Sequence, residues 1–134
     1  LRRLLKIMMD NQSDYTITFR NLSKAIKKDS DDFLQQFNGK DEILTWLKDW
    51  RAVVNTENKD QDSLIKDLNK TNPIYIPRNH QVQQAIDNAY ENDFSKMLEM
   101  IEVIKSPFEE KDSYSAYAQA PSDDQKVVRT FCGT

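Results

Sequence analysis

The sequence has few of the residues that make tight turns, disulfides and metal sites. Its 134 residues include two glycines, four prolines, one cysteine and one histidine. An all-β protein needs many tight turns, so the shortage of Gly and Pro argues against that class. One cysteine excludes a disulfide within these residues and a cysteine-rich zinc site. This usage fits a reducing compartment, and we expect a bacterial-type cytoplasmic location.

Charge of one sign and long apolar runs are also lacking. The chain has 19 Lys and Arg and 22 Asp and Glu, mixed along its length, so no basic stripe predicts binding to nucleic acid. No apolar run approaches the roughly 20 residues that span a membrane, and no membrane partner is expected. A Gly-rich phosphate loop and the metal-ligand spacing His-Glu-x-x-His are missing. The residues therefore predict no catalytic residue, no metal ligand and no cofactor in this chain.

Apolar residues at helical spacing run through most of the chain. The strongest stripe consists of Ile43, Trp46, Leu47, Trp50 and Val54. We predict an all-α fold, an irregular helical bundle that contains an antiparallel helix hairpin at about residues 78–105.

The two helices of the hairpin each have an apolar face. The first face is Val82, Ala85, Ile86, Ala89 and Tyr90, and the second is Phe94, Met97, Leu98, Ile101 and Ile104. We place residues 1–106 in a helical domain and residues 107–134 in a mostly irregular tail. The aromatic side chains expected to hold the tail in places are Phe108, Tyr114, Tyr117 and Phe131.

The segment between Asn72 and His80 contains two prolines. They disfavour helix in the residues before them, so residues 72–76 should be extended, and Pro77 can open the next helix. Arg78 then falls in the first helical turn, where its charge opposes the helix dipole. Either an ion pair or a bound anion could offset that cost, and we favour the ion pair. His80 is interpreted as a surface or packing residue.

The two ends of the chain raise separate questions. The sequence begins without Met, and Leu1–Met9 is apolar over more than one helical face. We interpret it as the inside of an amphipathic helix in a larger protein, with a surface that covers a missing domain. Cys132, near the other end, is either a small hydrophobe or an accessible thiol. Nothing beside it activates the thiol, and the residues alone favour the first alternative.

Four segments in the same order resemble motifs of the selenoprotein O-like (SelO) family. They are S-D-Y-T-I-T-F-R-N-L-S at 13–23, N-P-I-Y-I-P-R-N-H-Q-V-Q-Q-A-I at 72–86, S-P-F-E-E at 106–110 and the terminal T-F-C-G-T. The second segment supplies a candidate structural motif of Asn72, Pro73, Arg78, Asn79 and His80. Residues 121–126, P-S-D-D-Q-K, depart from the Pro-Pro-Asp-Trp of many members, so the tail is expected to dock differently.

The resemblance implies a longer parent enzyme with a protein-kinase-like fold. Such an enzyme is a protein adenylyltransferase, which uses ATP and Mg²⁺ to transfer AMP to Ser, Thr or Tyr hydroxyls of protein substrates. Its nucleotide and metal ligands lie outside these residues, so this chain alone is expected to be inactive and to support the kinase-like domain. The resemblance also implies that Cys132 is a redox thiol that pairs with a cysteine elsewhere in the parent.

Two other interpretations stay open. The chain can be a self-contained helical module whose groove binds a partner helix or peptide. Its apolar faces can also pair with a second copy once the rest of the enzyme is absent.

Overall fold

The computed structural model describes residues 1–27, 30–56 and 59–126. Over these ranges the chain forms helices and no strand, which confirms the predicted all-α fold. In the same ranges, no helix has the length and apolar character that crossing a membrane requires. The chain divides into two compact units, Leu1–Pro73 and Ile74–Thr134. The boundary that the sequence predicts after residue 106 stays a prediction.

The first unit contains five α-helices within the described residues. They are α1 (Arg2–Asn11), α2 (Tyr15–Asn21), α3 (Asp31–Leu34), α4 (Lys40–Asn55) and α5 (Gln61–Thr71). A short 3₁₀ helix, Lys24–Ile26, lies between α2 and α3.

The core of the first unit lies between α1, α3 and α4. Buried side chains include Leu4 and Ile7 of α1, Phe33 of α3, and Ile43 and Leu47 of α4. The predicted stripe of α4 is confirmed in this core: Trp46 is buried, and its ring stacks on that of Trp50 at a centroid distance of 5.8 Å. The aromatic pair adds large apolar area to a core built from short helices.

Side-chain oxygens cap two of these helices. The carboxylate of Asp14 accepts a hydrogen bond from the Ile17 amide at 2.8 Å, which satisfies a free N–H group in the first turn of α2. The carboxylate of Asp60 accepts from the Ser63 amide at 3.0 Å in the first turn of α5. These bonds fix where α2 and α5 begin.

The second unit contains the predicted helix hairpin, α6 (Asn79–Tyr90) and α7 (Ser95–Lys105). A four-residue turn joins the two helices, and Asn92 within it has a positive φ of 64°. The α7 side that faces the core differs from the apolar face found in the sequence. Val103 is buried, whereas Phe94, Leu98, Ile101 and Ile104 are exposed.

Residues 106–126, after α7, are mostly irregular, as predicted, with short helical turns at Asp112–Tyr114, α8 (Ser115–Ala118) and Asp123–Gln125. The rest of the predicted tail, 127–134, lies outside the described residues. Tyr117 is buried in a small core with Ile74, Tyr75 and Val103, and Tyr114 packs against it. These contacts confirm that Tyr114 and Tyr117 hold this segment. Phe108 is partly exposed, and Phe131 lies outside the described residues.

Candidate functional site

The segment Ile74–Arg78 positions the candidate motif in the second unit. The amides of Ile74 and Tyr75 both donate to the Pro107 carbonyl, at 2.7 and 3.2 Å. The side chain of Tyr75 is buried and bonded to the backbone of Lys111. The extended segment is thereby joined to the residues that follow α7.

Arg78 is the N-cap of α6, and this corrects the predicted start of the helix. Arg78 is extended, with φ −70° and ψ 137°, and Asn79 is the first helical residue, so Pro77 lies outside the helix. The Arg78 carbonyl accepts from the amides of Gln81 and Val82 at 2.9 Å each. Arg78 therefore lies just before the first turn rather than within it, and the predicted conflict with the dipole is weaker.

The side chain of Arg78 points into the protein. Only 7% of the residue is exposed, and Nη2 donates to the Ala118 carbonyl at 3.4 Å. This carbonyl belongs to the last residue of α8, where helical carbonyls lack partners within the helix. The described contact therefore supports a structural role for Arg78 through a carbonyl group.

Gln81 makes a parallel contact that the sequence analysis missed. It is 7% exposed, and its Nε2 donates to the Ala116 carbonyl at 3.1 Å. Its Oε1 is buried and has no hydrogen-bond partner in the part of the chain that the structure describes. Gln81 precedes the buried Ala85 by four residues and therefore lies on the same side of α6, and this spacing is the sequence signal that indicates its burial.

His80 lies beside two adjoining hollows on the surface of the second unit. One, of about 180 Å³, is also lined by Gln81, Lys96 and Tyr117. The other, of about 390 Å³, is also lined by Asp87. Partial burial lowers the pKa of His80, and the positive charge of Arg78 lowers it further. The imidazole is thus favoured in its neutral form.

Tyr117 and Lys96, at the wall of the smaller hollow, form a polar group with Glu99. The Tyr117 hydroxyl donates to Glu99 Oε2 at 2.8 Å, and Lys96 Nζ lies 3.7 Å from the same oxygen. Lys96 Nζ also lies 5.0 Å from the centroid of the Tyr117 ring. Burial raises the pKa of Tyr117, and the bond to Glu99 raises it further. Tyr117 is a neutral hydrogen-bond donor here, and the group fixes α8 against α7.

The remaining predicted site residues do not join this group. Asn72 ends α5 in the first unit, where its carbonyl accepts from Arg20 Nη1 at 3.1 Å. Pro73 follows it and is half-buried, and Asn79 is exposed at the start of α6. Cys132 lies outside the described residues.

The described side chains also define what this site lacks. Across residues 1–27, 30–56 and 59–126, His, Asp and Glu form no group of three or more that could hold a metal ion. The arrangement around His80 consists of amide side chains, one imidazole, the Lys96–Glu99 ion pair, and Asp87, Asp124 and Lys126 at the larger hollow. Its chemistry suits hydrogen bonding and packing.

Comparison with known proteins decides the family. The family model described as Protein adenylyltransferase SelO matches residues 1–105. The chain belongs to this SelO family. The match includes the segments at 13–23 and 72–86 on which the resemblance rested, and that interpretation is confirmed.

Relatives of this chain align along its full length. Protein nucleotidyltransferase YdiU of Maridesulfovibrio salexigens is 36% identical over 100% of the chain, which covers 27% of that protein. The proteins of the same name from Bradyrhizobium diazoefficiens and Rhizobium etli are 35% and 34% identical, again over the whole chain, with 28% and 27% of their lengths covered. This chain thus spans little more than a quarter of the length of the relatives it matches.

Proposed function

We propose that this chain is a supporting helical part of a protein adenylyltransferase whose active site lies in residues outside it. The observation that carries the proposal is the SelO family match combined with coverage of only 27% of the YdiU relative. In the longer protein, AMP moves from ATP to Ser, Thr or Tyr hydroxyls of protein substrates. The helices support a kinase-like core, and the enzyme works in a reducing, cytoplasmic compartment.

The residues of this chain do not fit an ATP–Mg²⁺ site. A phosphate loop needs several glycines, and this sequence has two in all. Mg²⁺ prefers oxygen ligands in octahedral geometry, and the described residues contain no group of three acidic or histidine side chains. We therefore assign ATP and Mg²⁺ to the longer protein and no step of the reaction to these residues.

A supporting role accounts for the polar contacts around α6. Arg78 and Gln81 both donate to carbonyls of α8, and Tyr117 of α8 donates to Glu99 of α7. Two of the side chains that line the small hollow, Gln81 and Tyr117, are thus held by bonds within this unit. Met9 of α1 is 72% exposed, and Leu1 just before the helix is 78% exposed; these apolar residues fit a surface that the rest of the enzyme covers.

The test compares the longer gene product with this chain alone. Each is incubated with Mg²⁺, a protein substrate and ATP labelled in the α-phosphate, and labelled protein is measured. We expect transfer by the longer protein and none by the chain. Transfer by the chain alone contradicts the assignment of the active site, and transfer of the γ-phosphate instead of AMP contradicts the reaction.

A redox role for Cys132 is a second part of the proposal. In the longer protein its thiol pairs with another cysteine: the two thiols lose two protons and two electrons to a small disulfide such as oxidised glutathione, and one protein disulfide forms. Cys132→Ser should abolish any difference in AMP transfer between oxidising and reducing buffers. If wild type and Cys132→Ser show the same difference in AMP transfer between the two buffers, Cys132 does not have this role.

A self-contained interaction module is the other candidate, and the exposed apolar residues of α1 and α7 favour it equally. The coding sequence upstream of Leu1 separates the two. A Gly-rich loop, a strand lysine and a metal-binding Asp favour the enzyme, whereas a stop codon directly upstream favours the module.

A further inference from the structure

The helix α7 is apolar on two opposite sides, and only one is covered. Met100 and Val103 pack against the small core of the second unit. Leu98 and Ile101 lie on the side turned away from Val103, and Phe94, the residue just before the helix, precedes Leu98 by four positions on the same side. We call these three residues, with the neighbouring Ile104, the outer face of α7.

The outer face is as wide as the stripe with which a surface helix normally faces its core. At 3.6 residues per turn, the four side chains cover an arc of about 120°. The exposed fractions are 48% for Phe94, 58% for Leu98, 39% for Ile101 and 37% for Ile104. Glu99 and Glu102 make one side of α7 polar, so the helix is not apolar all round. Its apolar arc is nevertheless wider than the part that Met100 and Val103 place on the small core, and the exposed remainder calls for a covering surface.

We propose that the outer face of α7 docks on an apolar surface of the same polypeptide outside these residues. The inference rests on the proposed function, because it requires the longer protein. The relatives that match this chain are almost four times its length, since it covers 27% of them. The additional residues of such a protein can supply this surface.

The size of the outer face favours an attached partner over a second copy. With about 150–250 Å² for a whole aromatic side chain and somewhat less for Leu or Ile, the exposed fractions amount to on the order of 300 Å². A stable interface between separate proteins buries about 800 Å² on each side. A segment of the same polypeptide needs less, because the tether gives an effective concentration on the order of millimolar.

Thiol labelling in the longer protein tests whether the face is covered. Leu98→Cys is compared with Gln84→Cys, a matched control at an exposed position of the hairpin. Gln84 lies about 160° around α6 from Ile86, which is an exposed apolar residue of that helix. Both variants carry Cys132→Ser, and modification of each site by a maleimide is followed by mass spectrometry, with the rate in denaturant as reference. Ile101→Cys replaces Leu98→Cys if the latter does not fold.

We expect the thiol at position 98 to react about tenfold or more slowly than the one at position 84, because a covered thiol reacts only after local opening. Equal rates at the two positions overturn the proposal, and so does equal protection of both. Protection that rises with protein concentration identifies a second copy as the partner and overturns it as well.

A photoreactive side chain at position 98 of the longer protein then identifies the partner. We expect cross-linked peptides from residues outside this chain. Cross-links confined to this chain or to a second copy overturn the proposal. AMP transfer is measured on the same protein: its absence contradicts the proposed function without affecting the labelling result, while active protein with an accessible position 98 contradicts only the docking surface.

Discussion

Tyr75 and Lys111 bind each other through both backbone groups of the lysine. The Lys111 amide donates to the Tyr75 hydroxyl at 2.9 Å, and that hydroxyl lies 3.2 Å from the Lys111 carbonyl, to which it donates. Tyr75 is 2% exposed, so its ring is fixed in the core while its hydroxyl holds a residue of the following segment. One side chain thus connects the extended segment before α6 with the residues after α7.

Tyr75→Phe should therefore lower the free energy of unfolding by about 1–2 kcal/mol, since two hydrogen bonds are lost while the ring still packs. Urea denaturation measures the change. Tyr114→Phe is the matched control, because the Tyr114 ring contacts Tyr75 edge-on at 6.1 Å and its hydroxyl has no described bond. We expect it to change stability by less than about 0.5 kcal/mol. Equal effects of the two substitutions would contradict the role of the Tyr75 hydroxyl.

The sequence predicted best what depends on neighbouring residues. The stripe of Trp46 and Leu47 follows from helical spacing, and the absence of helix just before Pro77 follows from the steric effect of proline on the preceding residue. The hairpin follows from two periodic segments separated by a short polar turn. Each of these signals lies within about one helix length, and each is confirmed by the structure.

What the sequence could not predict depends on distant partners. Gln81 is buried because Ala116, 35 residues away, offers a carbonyl group. Val103 rather than Leu98 faces the core because Tyr75 and Tyr117 pack there. Periodicity finds the apolar faces of α7 but does not say which of them the same unit covers.

The core of the first unit depends on Phe33. This side chain is 0% exposed, and its ring lies 5.3 Å from that of Phe37 and 6.3 Å from that of Trp46. Phe33→Ala should lower the free energy of unfolding by about 3–5 kcal/mol, because it removes apolar burial and leaves a cavity. Urea denaturation tests this against Leu44→Ala, a residue of α4 that is 45% exposed. Comparable losses for the two would show that Phe33 is not central to the core.

Tyr117 should make the protein sensitive to alkaline pH. Its pKa is raised in the folded state by burial and by the bond to Glu99. An unfolded tyrosine loses its proton near pH 10, while the folded one keeps it, so the stabilisation present below that pH is lost as pH rises above it.

Tyr117→Phe removes this pH dependence. At neutral pH it should lower the free energy of unfolding by about 1 kcal/mol, because the bond to Glu99 is lost; the loss is small because Glu99 is half exposed and solvent weakens the bond. Unfolding free energies of both proteins between pH 8 and about pH 11 measure the effect. Parallel curves for wild type and Tyr117→Phe would show that another group causes the alkaline loss. Tyr90→Phe, at a position 85% exposed, serves as the control at neutral pH.

His80 should have the opposite dependence on pH. Its pKa is lowered in the folded state by partial burial and by Arg78. The unfolded state therefore takes up a proton first as pH falls through the ordinary value of about 6.5, and the folded state loses stability below it.

His80→Gln should flatten the decline in unfolding free energy between about pH 7 and pH 5. This window lies above that of the carboxylates with lowered pKa, such as Asp93, whose contributions are lost near and below about pH 4. Urea denaturation at each pH gives the comparison. A decline of the same slope in wild type and His80→Gln would exclude His80 as its cause.

Arg78 tests whether the candidate motif is structural. Arg78→Ala removes a nearly buried guanidinium from the Ala118 carbonyl and should lower the free energy of unfolding by about 2 kcal/mol. Arg78→Lys should recover little of it, because an ammonium lacks the planar fork of donors that a guanidinium offers. Arg2→Ala, an exposed residue in α1, is the control, with a change below about 0.5 kcal/mol.

Thermal unfolding and nucleotide binding of the longer protein separate structure from function at this position. If the role of Arg78 is structural, the Arg78→Ala protein melts at a lower temperature than wild type. The nucleotide affinity of the protein that remains folded is then unchanged, because the guanidinium is bound within the second unit to a backbone carbonyl. Unchanged melting with weakened nucleotide binding would reverse this conclusion, since the charge would then act on an anion rather than on the end of α8.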